Sequence, residues 1–194
     1  MEAARRQSRA LRTREQILAA AVEVMVGHGY AGLTMQRVQT AAGVTRGALT
    51  HHFSSMRELA VAAVDYVAAA QAGEIEAAVV GAGPAELIEV LHEVTRRPTY
   101  VAGLELWVAA RTDPELRAAL RPGARQLGRQ LREPLLLLVG DLDDERLDVF
   151  ADGLLSLLRG LAVGGVLRDR PALEKAVLAA WLGAFGAQAT TGAG

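Results

Sequence analysis

The stretch LTMQRVQTAAGVTRGALTHHFSSMREL, residues 33–59, decides how this chain folds. It contains two short helical patterns separated by Gly43, and a third helical pattern follows them. Thr34 is a good N-cap for the first helix, and the glycine can end that helix because it tolerates a left-handed turn. Thr45 can cap the second helix, in which Leu49 points inward. We therefore predict a helix-turn-helix unit.

The outward side chains of the second helix form the predicted reading surface. In a helix-turn-helix protein the N-terminal part of this helix enters the major groove, where its side chains meet base edges and nearby phosphates. Arg46 is the expected donor to guanine, and Gly47 permits close backbone approach. The full set of predicted DNA contacts is Thr34, Gln36, Thr45, Arg46, Gly47, Thr50, His51, His52 and Arg57.

The order of these features resembles the TetR family of transcriptional repressors. The similarity covers residues 12–66. It begins with a first helix over residues 13–28, which ends at the Gly29-Tyr30 break, and continues with the helix-turn-helix over residues 34–51. Phe53 and a fourth helix, which starts with a capping box from Ser55 to Glu58, complete it. The resemblance implies an all-α protein of about nine helices, with an N-terminal three-helix helix-turn-helix domain and a C-terminal helical ligand-binding and dimerisation domain. It also implies a dimeric repressor that a small-molecule effector releases from a palindromic operator.

Four residues depart from the family's pattern, and one of them is Gln36, at a position that can reach a base from the first helix of the pair. Gln39 stands where the family usually has a small Ala, Thr50 replaces a common Tyr, and Met56 replaces a common Lys that binds phosphate. The neighbouring Arg57 is expected to supply the missing cation. These departures leave an alternative open, in which a helical module binds a small molecule or a protein and its DNA-reading domain has decayed.

Composition and charge limit the remaining possibilities. The 194 residues suffice for a small DNA-binding domain and a second helical domain with its own core, and 51% hydrophobic with only 4% aromatic residues favours packed helices. Residues 1–60 carry eight Arg against four Glu, a net charge of +4, while the rest carries −5. Phosphate attraction is therefore expected at one end only. With neither a signal peptide nor a membrane-length apolar run recognised, we expect a cytoplasmic protein that binds double-stranded DNA and no membrane.

Four segments are predicted along the chain. They are a disordered basic tail over residues 1–10, the helix-turn-helix domain over residues 11–58, the ligand-binding and dimerisation domain over residues 59–188, and a frayed C-terminus over residues 189–194. Within the third segment, Gly, Pro and Asp residues divide the sequence into helices over residues 59–80, 85–96, 99–112, 114–139, 143–168 and 172–188. Breaks are allowed for at Pro122 and Pro134 in the fourth of these helices.

A ligand pocket is predicted around one helical face that combines apolar area with polar tips. The preceding and following helices would complete it, and the predicted lining is His92, Thr95, Tyr100, Leu104, Trp107, Arg111, Gln126 and Gln130. A helix that packs its Trp into the core explains the same pattern equally well.

The last two helices are predicted to form a homodimer interface. Its expected members are Leu154, Leu158, Leu161, Ala176, Ala180, Gly183 and Ala187. Two such helix pairs would form a four-helix bundle about a twofold axis, whereas packing within a single subunit is the alternative.

Motifs for catalysis, cofactors and metals are weak. The hexapeptide over residues 27–32 has the letters of a dinucleotide fingerprint, but it follows a helix and lacks the preceding strand. The four histidines include no i,i+4 pair, the chain has no cysteine, and no serine lies in a G-x-S-x-G motif. We therefore expect no cofactor, no metal site and no enzymatic activity.

Overall fold

The computed structural model describes residues 1–79, 84–139 and 142–191, and these residues form helices, with no strand among them. This confirms the predicted all-α class, with a helix-turn-helix near the N-terminus and further helices after it. In chain order the elements are α1 (Glu2–His28), a 3₁₀ turn (Tyr30–Gly32), α2 (Met35–Ala42), α3 (Arg46–His52), α4 (Met56–Val79), α5 (Pro84–Arg96), α6 (Pro98–Ala109), α7 (Pro114–Val139), α8 (Asp144–Gly165) and α9 (Pro171–Thr191).

Helix α2 begins and ends as the sequence predicts. The Thr34 hydroxyl oxygen accepts a backbone N–H of the first turn at 3.3 Å. At the other end Gly43 has φ 62° and ψ 28°, the left-handed conformation that favours glycine. The Gly43 N–H donates to the Thr40 carbonyl and the Val44 N–H donates to the Gln39 carbonyl, which is the Schellman pattern of helix termination.

Helix α3 is fixed by its cap and by its buried side. The Thr45 hydroxyl oxygen accepts the Ala48 N–H at 3.2 Å. Leu49 of α3 and Val38 of α2 are both fully buried, and Phe53 at the end of α3 is 1% exposed. These three side chains hold the two helices against the same core, so the opposite side of α3 is left to solvent.

The capping box at the start of α4 forms with one change of partner. The Ser55 hydroxyl oxygen accepts the Glu58 N–H at 3.1 Å, as predicted. The Glu58 carboxylate, however, accepts both the N–H and the O–H of Ser54, at 2.8 and 2.7 Å. These bonds lower the pKa of Glu58 below its usual value, so the carboxylate stays charged where it favours the helix N-terminus.

The chain divides into two compact units, which differ from the predicted domains. The first unit is Met1–Ala69 with Pro98–Gly123, and the second is Ala70–Arg97 with Ala124–Gly194. The predicted boundary after residue 58 therefore lies inside the first unit, which also includes α6 and the first part of α7. The physical reason is burial, because Ala102, Leu106 and Leu116 are 4%, 0% and 0% exposed in the core that contains the helix-turn-helix.

Helix α1 starts earlier than predicted. Residues 1–10 were expected to be a disordered tail, yet α1 runs without interruption from Glu2. Neither Gly nor Pro occurs before Gly27, and the first residues are mainly Ala, Arg, Gln and Leu, which favour helix. At the other end of the chain α9 reaches Thr191, and the rest of the predicted frayed segment, residues 192–194, lies outside the described residues.

Helix α7 is continuous although it contains two prolines. Breaks were allowed for at Pro122 and Pro134, each of which removes one helical hydrogen bond at a cost of roughly 3 kcal/mol. The flanking side chains offset this cost, because Leu120 is buried in the core of the first unit and Leu131 and Leu135 are buried in the core of the second.

Candidate nucleic-acid interface

The outward face of α3 presents the predicted reading residues to solvent. Arg46, Gly47, Thr50 and His51 are all exposed. A Cβ built at Gly47 would meet no atom within 4 Å, so this part of the helix offers an open surface to an approaching ligand. The exposed face and the buried Leu49 together give α3 the geometry of a recognition helix.

Arg46 is the strongest candidate for reading a base. It is the first residue of α3, where the helix dipole favours an approaching anion such as phosphate. Its side chain is exposed, and no carboxylate in the described part of the chain pairs with it. Its fork of N–H donors is thus available for the two acceptors at the major-groove edge of guanine.

The two capping threonines and Gln36 remain available for DNA. Thr34 and Thr45 are exposed, and each hydroxyl oxygen acts as an acceptor toward its own helix, so the O–H is left as a donor for phosphate. The Gln36 side chain is also exposed, on the first turn of α2. All three residues are therefore accessible, and their contacts with DNA stay a prediction.

Thr50 is engaged within its own helix. Its hydroxyl donates to the Arg46 carbonyl at 3.0 Å and approaches the Gly47 carbonyl at 3.3 Å. The only proton of this hydroxyl is therefore committed in the free protein, and Thr50 offers DNA an acceptor and a methyl group.

The two histidines at the end of α3 differ in their surroundings. His51 is exposed, whereas His52 is half-buried, and the ring centroids lie 5.4 Å apart in an edge-on arrangement. Burial, assisted by the charges of His51 and Arg14, lowers the pKa of His52 below its usual value. At neutral pH the His52 ring is then mainly uncharged in the free protein.

Arg57 has protein partners that the sequence did not reveal. It was predicted to bind phosphate, but its guanidinium donates to Glu115 at 2.5 Å and lies 3.4 Å from Asp113. Asp113 also accepts the Leu116 N–H at 2.9 Å and so caps α7. The helix start at Pro114 was predicted from the sequence, but nothing in Asp113-Pro114-Glu115 indicated the ion pair with Arg57.

Three side chains that support the helix-turn-helix were not predicted from the sequence, because their contacts are long-range or lie outside the motif. The Gln16 amide of α1 donates to the carbonyl of Ala42 at 2.7 Å, and the Arg37 guanidinium donates to the carbonyl of Gly32 at 2.7 Å. Glu105 of α6 accepts the Tyr30 N–H at 2.8 Å. These bonds fasten the two ends of α2 and the turn before it.

The predicted ligand-pocket residues are divided between the two units. The first unit contains Tyr100, Leu104, Trp107 and Arg111, and the second contains His92, Thr95, Gln126 and Gln130. Trp107 is 38% exposed and is not buried in the core of its unit, in contrast to the alternative interpretation of the pattern. Neither unit alone contains the whole predicted set, which stays a prediction.

His92 and Thr95 belong to a buried polar cluster of the second unit. His92 Nε2 lies 2.9 Å from Glu174 Oε2, to which Arg96 also donates at 2.6 Å, and the Thr95 hydroxyl bonds to carbonyls of its own helix. Burial pushes the pKa of Glu174 up, but the hydrogen bonds and charges of Arg96 and His92 outweigh burial and lower it below its usual value. The cluster joins α5 to α9 through a buried carboxylate.

The structure corrects the predicted dimer interface on α8. Leu154 and Leu158 are each 1% exposed in the core of the second unit, and Leu161 is half-buried against it. The periodic face that was assigned to the dimer is the face that packs inside the chain. Ala176, Ala180 and Gly183 of α9 are exposed, as an interface needs, and the side chain of Ala187 lies outside the described residues.

Metal and membrane sites are not found in the described part of the chain. It contains no group of three or more side chains able to hold a metal ion. None of its helices is long and apolar enough to cross a membrane.

A capped helix-turn-helix whose recognition helix is exposed, followed by further helices, is the architecture of a DNA-binding transcriptional regulator. Residues 17–63 match the family model of bacterial regulatory proteins, tetR family, and residues 85–189 match that of the BetI-type transcriptional repressor, C-terminal. The chain belongs to the TetR family of transcriptional regulators. This confirms the family that the motif indicated, and the family's members are regulators, not enzymes.

Individual relatives agree with this assignment. The HTH-type transcriptional repressor AcnR of Corynebacterium efficiens is 34% identical over 107 residues, which is 55% of each chain, so the match spans about half the length of that relative. An uncharacterized HTH-type transcriptional regulator of Mycobacterium tuberculosis is 27% identical over 87% of this chain and 90% of its own. The multidrug binding protein EbrR, solved in complex with ethidium, superimposes with a TM-score of 0.65 at 28% identity, covering 86% of this chain and 96% of EbrR.

Proposed function

We propose that this protein is a dimeric transcriptional repressor that binds a palindromic DNA operator and leaves it when a small molecule binds. The observation that carries the proposal is the exposed guanidinium of Arg46, which has no carboxylate partner in the described part of the chain and stands at the start of a capped recognition helix. We favour repression over activation because the relative AcnR is named as a repressor. The proposed site of action is the cytoplasm, where bacterial DNA lies.

The exposed face of α9 supports the dimer. Leu173 and Val177 are 53% and 36% exposed, and the small residues Ala176, Ala180 and Gly183 are exposed beside them. Small side chains at spacings of three and four allow two helices to approach closely, and leaving Leu173 and Val177 in water is unfavourable. A twofold dimer would set two recognition helices about 34–36 Å apart, at successive major grooves.

Oligomeric state tests this interface directly. Replacing Ala180 by Glu on the exposed side of α9 places two like charges at the twofold contact, and we expect a monomer by light scattering. Ala119→Glu is the matched control, since Ala119 is an exposed residue of α7 in the first unit. A dimer that survives Ala180→Glu would remove α9 from the interface.

The effector is proposed to be an apolar or aromatic molecule. Support comes from the exposed Trp107 and its helical neighbours Tyr100 and Leu104, and from EbrR, whose structure contains the aromatic cation ethidium. Ethidium itself is therefore a useful first probe. We expect it to bind saturably and to weaken the operator complex, and Trp107→Ala should reduce its affinity.

Selection of duplexes from a random DNA pool tests the function as a whole. The selection is run at low and near-physiological salt, since contacts to phosphate weaken with salt whereas base readout is retained. A palindrome that survives the higher salt is the expected result. Arg46→Ala should weaken binding to it by about 1–3 kcal/mol and relax discrimination at one position per half-site.

The opposite results separate the proposed repressor from its alternative. An unchanged base preference in Arg46→Ala would reject the assigned role of Arg46. Wild-type binding that disappears with salt and enriches no sequence would favour a helical binding module with a decayed DNA-reading domain, for which Gln39, Thr50 and Met56 were the motivation.

A further inference from the structure

The first turns of α1 form an exposed basic helix. Residues 5–12 are all exposed, and Arg5, Arg9 and Arg12 recur at spacings of four and three, so they lie on one side of the helix. The three arginines line one shallow surface groove together with Met1 and Ser8. We call Arg5, Arg9 and Arg12 the basic stripe.

The guanidinium groups of the basic stripe are available to an external anion. In the described part of the chain no carboxylate pairs with any of the three. Residues 1–14 contain five Arg and a single acidic residue, Glu2, so the local field is strongly positive. Core packing does not require these side chains either, because the buried positions of α1 begin at Ile17.

The basic stripe leads to the turn of the helix-turn-helix. Gln16 follows Arg12 at the next i+4 position and therefore continues the same side of α1. Its amide donates to the carbonyl of Ala42 at 2.7 Å, at the end of α2 and directly before Gly43. This side of α1 thus faces the turn that precedes the recognition helix, and the arginines extend from there over about 10 Å.

We propose that the basic stripe is a second DNA-binding surface, which holds backbone phosphates beside the bases that α3 reads. The inference rests on the proposed function, since it places the stripe and α3 on the same duplex. A DNA duplex carries one charge per about 1.7 Å of its axis, so three guanidinium groups along about 10 Å can each meet a phosphate. These contacts increase affinity without reading sequence, and each releases counterions.

The salt dependence of DNA binding tests the basic stripe. The full-length protein and the triple variant R5Q/R9Q/R12Q are titrated with a mixed-sequence duplex over a range of salt concentrations. Gln has nearly the helix propensity of Arg, so α1 should keep its helicity by circular dichroism. We expect the negative slope of log K against log salt to become shallower by about 2.7 per protomer, and the affinity at low salt to fall tenfold or more.

A matched control removes the same charge elsewhere. The variant R121Q/R125Q/R129Q deletes three exposed guanidinium groups at helical spacing on α7. The slope of log K against log salt should stay that of the wild type in this variant. An equal loss in both variants would mean that net charge alone matters, and an unchanged slope in R5Q/R9Q/R12Q would mean that the stripe does not touch DNA. Either result overturns the proposal.

Two further outcomes separate a DNA-binding stripe from a membrane-binding one and from the operator-binding function. Stripe-dependent binding to phosphatidylserine vesicles, with an unchanged DNA slope, would assign the stripe to a membrane surface and reject the proposal. The mixed-sequence duplex needs no operator, so the stripe can pass this test even if selection enriches nothing and the proposed repressor fails. Conversely, enrichment of a palindrome with an unchanged slope would reject the stripe alone.

Discussion

Replacing Gly29 by Ala should destabilise the first unit more than the same substitution at Gly43 or Gly47. Gly29 has φ 66° and ψ 174°, a conformation almost restricted to glycine, and strain there costs about 1–3 kcal/mol. A Cβ at this position would also lie 2.9 Å from Oε2 of Glu105, the oxygen that accepts the Tyr30 N–H. Losing that partly exposed bond adds about 1 kcal/mol, so we expect a total of about 2–4 kcal/mol.

The other two glycines provide graded controls. Gly43 has φ 62°, but a Cβ there would meet no atom within 4 Å, so Gly43→Ala should cost only the left-handed strain of about 1–2 kcal/mol. Gly47 lies within helix α3 and also has open space around its Cβ. Gly47→Ala should therefore stabilise the protein by about 0.5–1 kcal/mol.

Thermal and urea unfolding of the three variants, monitored by circular dichroism, measures the order of their stabilities. Each kcal/mol should move the unfolding temperature by about 2–4 °C for a chain of this size. Both the ranking and the change of sign at Gly47 are expected. Equal losses in all three variants, or a Gly29→Ala protein as stable as the wild type, would show that neither backbone strain nor the Glu105 contact restricts residue 29 to glycine.

Three more substitutions follow from side-chain surroundings. Leu158→Ala should destabilise the second unit by about 2–5 kcal/mol in urea unfolding, because this side chain is a core residue; a loss confined to dimer affinity would restore it to the interface. The pKa of Glu174 is lowered in the folded protein, so its contribution to stability is present above about pH 4.5 and disappears as the pH falls through the lowered value. Glu174→Gln should accordingly flatten the acid side of a stability–pH curve, and an unchanged curve would mean that the charged carboxylate does not stabilise the fold. The double variant Asp113→Asn and Glu115→Gln keeps a capping side chain but releases Arg57, so the negative slope of log K against log salt should become steeper by about 0.9 per protomer; a constant slope would mean that Arg57 never reaches phosphate.

Local signals account for the parts of the fold that the sequence predicted well. The caps at Thr34 and Thr45 and the left-handed Gly43 depend on neighbouring residues, and all three were found as predicted. The helix boundaries set by proline also agree, since α5, α6, α7 and α9 each begin at a proline. These features are encoded within one or two turns of helix, where spacing alone carries the information.

Long-range partners account for the differences. Arg57 was expected to bind phosphate in place of the cation missing at Met56. Its acidic partners were not foreseen, because they lie 56 and 58 residues later in the chain. Leu154 and Leu158 were assigned to the dimer interface, whereas they are buried within the chain. An apolar helix face predicts burial, but it does not tell whether the same chain or a second copy packs against it. The periodicity of the sequence thus predicts where the helices lie. Only the structure shows which residues each helix packs against.

The path of the chain through its two units has a consequence for protein engineering. The first unit is discontinuous in sequence, because residues 98–123 return to it after residues 70–97 have left. An excised fragment of residues 1–69 would lack Leu106 and Leu116, both fully buried in its core. A chimera that grafts only the N-terminal helices onto another regulator would therefore expose an unfilled core, whereas a graft that also transfers residues 98–123 would carry the complete unit.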